Sequence, residues 1–211
     1  MTDAPHNASR RPLASRGTRL AQIMVEWLLT TSVTPNQISL LSIAVSVVGA
    51  LALVFAPQMP WLYLVVALGV QARLVCNLLD GMVAVEGGRG TPTGGLYNEI
   101  PDRIADSLFL VAWGMACGSP WLGWAAALFA AVTAYIRVLG GALGQPQDFR
   151  GPMAKQHRMA ALTLVCLLAM LETWLRGHSH LLGIGLWIVA IGSIWTCAER
   201  TRAIAAGLRG G

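Results

Sequence analysis

Two stretches of this chain, residues 27–72 and 107–136, contain no Asp, Glu, Lys or Arg. Runs of that length must be enclosed by lipid or by a very large core, and 211 residues cannot build a very large core. Composition agrees: 55% of residues are hydrophobic and 12% are charged, about half the charged fraction of a soluble domain. A disordered chain, a disulfide-built secreted scaffold and an ordinary cytosolic enzyme are thereby excluded. The chain reads as an all-α, polytopic membrane protein.

Hydropathy and helix breakers divide it further. Leu20, Ile23, Met24, Trp27 and Leu28 recur at helical spacing, with Arg19, Gln22, Glu26 and Thr30 on the opposite stripe. That pattern predicts an N-terminal amphipathic helix lying in the membrane interface, ended by Thr34-Pro35-Asn36 because proline cannot continue it. Six transmembrane helices are expected near 37–56, 60–85, 98–117, 120–140, 157–175 and 179–199. Residues 1–16 read as a disordered cytoplasmic tail, 17–200 as one membrane domain and 201–211 as a second cytoplasmic tail. The net charge of +5 reflects basic loops and not nucleic-acid binding. Arg10, Arg11, Arg16, Arg19, Arg89, Arg150, Lys155, Arg200, Arg202 and Arg209 share one side of the bilayer, against Arg176 on the other. The positive-inside rule therefore puts both termini in the cytoplasm of an inner-membrane protein. Cys76, Cys117, Cys166 and Cys197 form no CxxC pair, and each sits in an apolar run as a small core residue. Trp61, Trp121 and Trp174 fall at the expected outer interface.

Ionisable groups in or beside membrane helices are costly, which makes them functional candidates. Asn77 and Asp80 end the second span; Asn98, Glu99, Asp102 and Asp106 begin the third, with 98, 102 and 106 along one helical face. An oxygen-rich cluster of this kind suits a hard divalent cation such as Mg2+ or Mn2+. Asn98 is a candidate N-cap that would leave Pro101 in a first helical turn. Gly81 and Ala84 leave room for a ligand to approach the second helix. Gly87, Gly88, Gly90, Gly94 and Gly95 form a glycine-rich connection without the Lys-Ser/Thr of a P-loop. On the same face Arg137 stands inside an apolar helix, near Arg150, Lys155, His157 and Arg158. Arginine suits phosphate through its paired donors.

The spacing of these residues resembles the D-x2-D-G-x2-A-R-x8-G-x3-D-x3-D motif of CDP-alcohol phosphotransferases. Asp80, Gly81, Ala84, Gly94 and Asp102 match in identity and position. Gly94-Gly-Leu-Tyr-Asn98 is also similar to the G-E-L-F-D of the choline/ethanolamine branch. Asn77, Asn98 and Val85 depart from the motif, where the family has Asp, Asp and Arg. The likeness extends to Thr34-Pro35-Asn36, the amphipathic N-terminal helix and the six spans, so it covers nearly the whole chain.

The resemblance implies transfer of a phosphatidyl group from CDP-diacylglycerol to a small alcohol, releasing CMP, in phospholipid biosynthesis. It implies Asp80 and Asp102 as ligands of Mg2+ or Mn2+, with Asn77 and Asn98 as weaker oxygen donors. Glu99 and Asp106 would restore part of the missing charge. Asp102 would serve as catalytic base, and Gly81, Ala84 and Gly94 as nucleotide contacts. Arg137, Lys155 and Arg158 would hold the phosphate of an acceptor such as glycerol-3-phosphate or an inositol phosphate. A CDP-choline/ethanolamine:diacylglycerol transferase and a catalytically degraded nucleotide- or lipid-binding homologue are the alternatives. A homodimer in membrane lipid is expected, with its site facing the cytoplasm.

Overall fold

The structure, a computed structural model, describes residues 18–210; the expected tail of residues 1–16 lies outside them. The described residues form seven α-helices and no strand. They are α1 (Arg19–Leu29), α2 (Pro35–Phe55), α3 (Leu62–Glu86), α4 (Gly94–Ala116), α5 (Pro120–Ala142), α6 (Lys155–Arg176) and α7 (Leu181–Arg209). Five helices (α2, α3, α5, α6 and α7) are long and apolar enough to cross a membrane. Helix α4 is 23 residues long, but Glu99, Asp102, Arg103 and Asp106 make its first half too polar for that criterion.

Local chemistry sets several boundaries. Thr34 and Gln37 form a reciprocal capping box around Pro35, which occupies the first turn of α2. The Thr-Pro-Asn break thus also starts the next helix. Two expectations shift. Helix α4 begins at Gly94 after Thr93, so Asn98 is not its N-cap and Pro101 lies inside it. Pro101 is the eighth residue of α4, so it removes the backbone donor that would bond to the Tyr97 carbonyl, and the helix continues past it to Ala116. Helix α7 continues to Arg209, so the helix expected to end near residue 199 runs on through residues 201–209 of the expected cytoplasmic tail.

Helix α4 lies against α2 and α5; α3 joins α2 to α6, and α7 closes the bundle against α5 and α6. The core gathers Leu53, Tyr63, Phe109, Trp113, Leu162, Cys166 and Leu186. Trp113 satisfies its indole N–H with the Leu182 carbonyl at 2.9 Å. Gly114 and Gly123 let α4 and α5 meet at backbone distance: a Cβ on Gly114 would fall 2.6 Å from the Gly123 Cα. Outward, Leu40, Leu51, Leu68, Leu128, Leu164 and Ile188 are exposed, an apolar surface too extensive for a soluble monomer. The protein is an integral membrane protein.

Helix α1 packs on α3 through Ala21, Val25 and Leu28, which join Leu79, Met82 and Val83 in a second small core. Leu20, Ile23, Met24 and Trp27 remain exposed on it. The connections 56–61, 117–119 and 177–180 lie at one end of the bundle. The connections 30–34, 87–93 and 143–154 lie at the other end, and the cavity opens among them.

Candidate active site

Helices α2 to α7 all contribute to a cavity of about 1090 Å³, large enough for a nucleotide-sized ligand. Arg73, Asn77 and Asp80 stand at i, i+4 and i+7 on α3 and share a face; Asp102 and Asp106 stand one turn apart on α4. Where those two faces meet α6, the side chains interlock.

Asp80 is 3% exposed. Its Oδ2 accepts a 2.6 Å hydrogen bond from the Ser39 hydroxyl of α2, while its buried Oδ1 has no hydrogen-bond partner. Asp102, 6% exposed, has no free oxygen. Its Oδ1 accepts from Asn77 Nδ2 at 2.8 Å and from Arg73 at 3.3 Å. Its Oδ2 is ion-paired with Lys155 Nζ and lies 3.6 Å from Arg103.

Asp106 lies one turn deeper and is not among the cavity-lining residues. Arg158 donates to its Oδ2 at 2.7 Å, and Arg73 stands 3.1 Å from its Oδ1. Glu99 reaches Arg137 at 2.5 Å and Arg103 at 3.7 Å. Arg137 also donates to Gln147 at 2.8 Å and stacks its guanidinium over Phe149, 5.4 Å from the ring centre.

Most of the residues singled out from sequence come together: Asn77, Asp80, Gly81, Ala84, Gly94, Asn98, Glu99, Asp102, Arg137, Lys155 and Arg158 all line the cavity. Asp106 is the exception, and its reading as a metal ligand gives way to a buried ion pair with Arg73 and Arg158. The expected six-residue oxygen cluster also contracts. Among the described residues, no three Asp, Glu, His or Cys side chains form a group that could hold a metal. Glu99 is drawn toward Arg137 on α5, and Asn98 is exposed at the rim.

Four participants are absent from the sequence-derived candidates. Arg73 is wholly buried behind Asp102; its position inside an apolar helix, four residues before Asn77, is the signal that marks it. Ser39 orients Asp80 from another helix, which no local pattern reveals. Arg103 follows Asp102 directly in α4 and extends over both Asp102 and Glu99. Arg200 of α7, 4% exposed, donates to the carbonyls of Thr133 at 2.7 Å and Arg150 at 2.9 Å and lines the cavity. The described lining carries Asp80, Glu99 and Asp102 against Arg103, Arg137, Lys155, Arg158 and Arg200. That excess of cations favours an anionic ligand.

The loop beside the cavity is tied down from below. Arg89 donates to the carbonyls of Leu29, Thr31 and Val33 at 2.9–3.1 Å. The guanidinium thereby satisfies carbonyls left open at the end of α1 and fixes the glycine-rich connection over α3.

No family model matches the chain. It is 29% identical over 181 residues to the inner membrane protein YnbA of Escherichia coli, an alignment covering 84% of this chain and 87% of that protein. It is 28% identical over 191 residues to the phosphatidylinositol phosphate synthase of Streptomyces avermitilis, covering 87% and 77%. Among solved structures it superposes on the phosphatidylinositol phosphate synthase of Mycobacterium tuberculosis with CDP-DAG bound, with a TM-score of 0.71 at 24% identity. That superposition covers 89% of this chain and 94% of the other. The same enzyme in complex with manganese and citrate gives a TM-score of 0.71 over 87% and 88%.

Proposed function

We propose that the chain is a CDP-alcohol phosphotransferase, as its likeness to phosphatidylinositol phosphate synthases supports, and that it transfers a phosphatidyl group from CDP-diacylglycerol to a small alcohol and releases CMP. The observation that carries this reading is one cavity lined both by the five motif positions Asp80, Gly81, Ala84, Gly94 and Asp102 and by Arg137, Lys155 and Arg158. Glycine and alanine on one wall admit a nucleotide close to the backbone. The cations on the other wall suit a phosphorylated acceptor, such as glycerol-3-phosphate or an inositol phosphate. The phosphatidylinositol phosphate synthases among the relatives favour that acceptor class over diacylglycerol.

In this reading Asp102 takes the proton of the acceptor hydroxyl while that oxygen attacks the lipid-bearing phosphorus. The bond from that phosphorus to the bridging oxygen breaks, and CMP leaves with the electron pair. Lys155, Arg73 and Asn77 hold the Asp102 carboxylate in place. Arg137 and Arg158 orient the acceptor phosphate. The residues fit one divalent ion, because Asp80 presents a buried, unpartnered oxygen at the cavity wall. Mg2+ or Mn2+ bound there would neutralise charge on the pyrophosphate.

The setting belongs to the same proposal. Helix α4 is the sixth span, despite the charges at its site end. Helix α1 rests in the interface through Leu20, Ile23, Met24 and Trp27. The cavity and both termini face the cytoplasm, the unit spans residues 17–200, and two copies pair within the bilayer.

The test is CMP release by detergent-purified protein given CDP-diacylglycerol, Mg2+ or Mn2+, and a panel of plain and phosphorylated alcohols. Release with a phosphorylated acceptor is expected, and Asp102→Asn should lower it ~10²–10⁴-fold, the range of general-base contributions. Binding of the CDP-lipid with no release for any acceptor would instead identify a binding-only homologue.

A further inference from the structure

Asp80 and Asp102 are both buried acids at one cavity, yet they are treated oppositely. Asp102 has every oxygen engaged by protein donors: Asn77 and Arg73 on Oδ1, Lys155 on Oδ2. Asn77 meets it with its amide N–H, as a donor. Asp80 has no cation within ion-pair distance, and its inner oxygen is left open.

We propose that the Lys155 ammonium is a resident cation serving Asp102 in place of a divalent ion, so that the site takes one divalent ion, at Asp80. A second divalent ion at Asp102 would have to displace Lys155 and sit close to Arg73 and Arg103. Like-charge repulsion in a site of low dielectric opposes that strongly. Lysine suits the substitution because its ammonium is a compact point charge on a flexible stem, able to follow a developing negative charge. The same arrangement accounts for Asn77. A neutral amide can donate to a carboxylate already balanced by cations, where a third acid would add uncompensated charge. The Asn77 departure from the motif and the position of Lys155 are then one compensated change. The inference rests on the phosphotransfer reading for its choice of ion, but not for its test.

The test reads ion stoichiometry without turnover. Full-length protein in detergent is titrated with Mn2+, alone and with CDP-diacylglycerol, and followed by electron paramagnetic resonance. One Mn2+ per chain is expected, without the dipolar signature of a close pair. Asp80→Asn should weaken it roughly tenfold or more, since each carboxylate removed lowers affinity for hard cations. Lys155→Met should open a second Mn2+ position at Asp102, closed again by adding Asp102→Asn. Two ions in the unaltered protein, or none, overturn the inference. So does one ion that persists unchanged in Asp80→Asn, or a Lys155→Met protein that still binds only one. Absence of CMP release with one Mn2+ bound would count against the transferase reading and leave this inference standing.

Discussion

The two halves of α4 solve opposite problems on one helix. From Phe109 to Gly114 the helix is packed by shape: Phe109, Leu110 and Trp113 are fully buried, and Gly114 lies directly on Gly123 of α5. From Glu99 to Asp106 it is packed by charge, with each carboxylate matched to a cation from α3, α5 or α6. Lipid tails offer no hydrophobic contrast to a helix, so the apolar half depends on close contact. The charged half holds together because its ions are mutually satisfied. The difference teaches where this molecule is replaceable: shape tolerates small adjustments, while a buried ion network loses a partner all at once.

The comparison breaks most visibly at Asp106. Asp106→Ala leaves Arg73 and Arg158 buried without their shared counter-ion, a loss of about 3–5 kcal/mol. Thermal unfolding in detergent should show it as the largest drop among single changes in α4. A triple Arg73→Met, Asp106→Leu, Arg158→Met protein should recover most of that stability, because replacing a whole buried ion set by apolar groups is often neutral or better. It should not recover CMP release, since Arg158 lines the cavity. Recovery of activity by the triple variant would show that Arg158 does not touch the acceptor.

The shape-packed half should respond less. A Cβ on Gly123 would meet the Leu110 carbonyl oxygen at 2.8 Å and the Gly114 Cα at 2.9 Å, both backbone atoms that cannot rotate away. Gly123→Val therefore forces α4 and α5 apart, at about 1–3 kcal/mol by analogy with overpacked cores. The shift spreads along α4, so the melting temperature should fall while CMP release persists at low temperature. An activity loss as large as that of Asp102→Asn would mean that the two halves are coupled more tightly than the packing implies.

The sequence carried this division only partly. The charge-free stretches and the break at Thr34-Pro35-Asn36 mark the long helices because lipid penalises charge along their whole length. The identities at Asp80, Gly81, Ala84, Gly94 and Asp102 mark the cavity wall because their spacing follows two helices and the loop joining them. Depth was not readable. Asn98, Asp102 and Asp106 share a face, but each turn is about 5.4 Å further along the axis. Asn98 thus lies at the rim, Asp102 at the wall and Asp106 behind it. The partners of these acids come from helices distant in sequence, and no period in the chain announces that Lys155 reaches Asp102 or that Ser39 reaches Asp80. Pro101 misleads in a different way. Proline favours a first helical turn, yet here the helix starts at Gly94, and Pro101 is buried inside it as its eighth residue.

The smallest effect is expected at the exposed end of the charged half. Glu99 pairs with Arg137, but the Glu99 side chain is 40% exposed and that of Arg137 12%. A half-exposed pair of this kind contributes about 0–1 kcal/mol after solvent screening. Glu99→Gln should therefore leave the melting temperature almost unchanged. It should free the Arg137 guanidinium, which Gln147 and Phe149 still position from the other side. If Arg137 receives the acceptor phosphate, the acceptor no longer competes with Glu99, and its KM should fall by up to about fivefold at unchanged kcat. The effect should be confined to phosphorylated acceptors and shrink as salt is raised. A KM that rises instead would show that Glu99 holds Arg137 in its working orientation, making the pair part of the acceptor site and not a competitor for it.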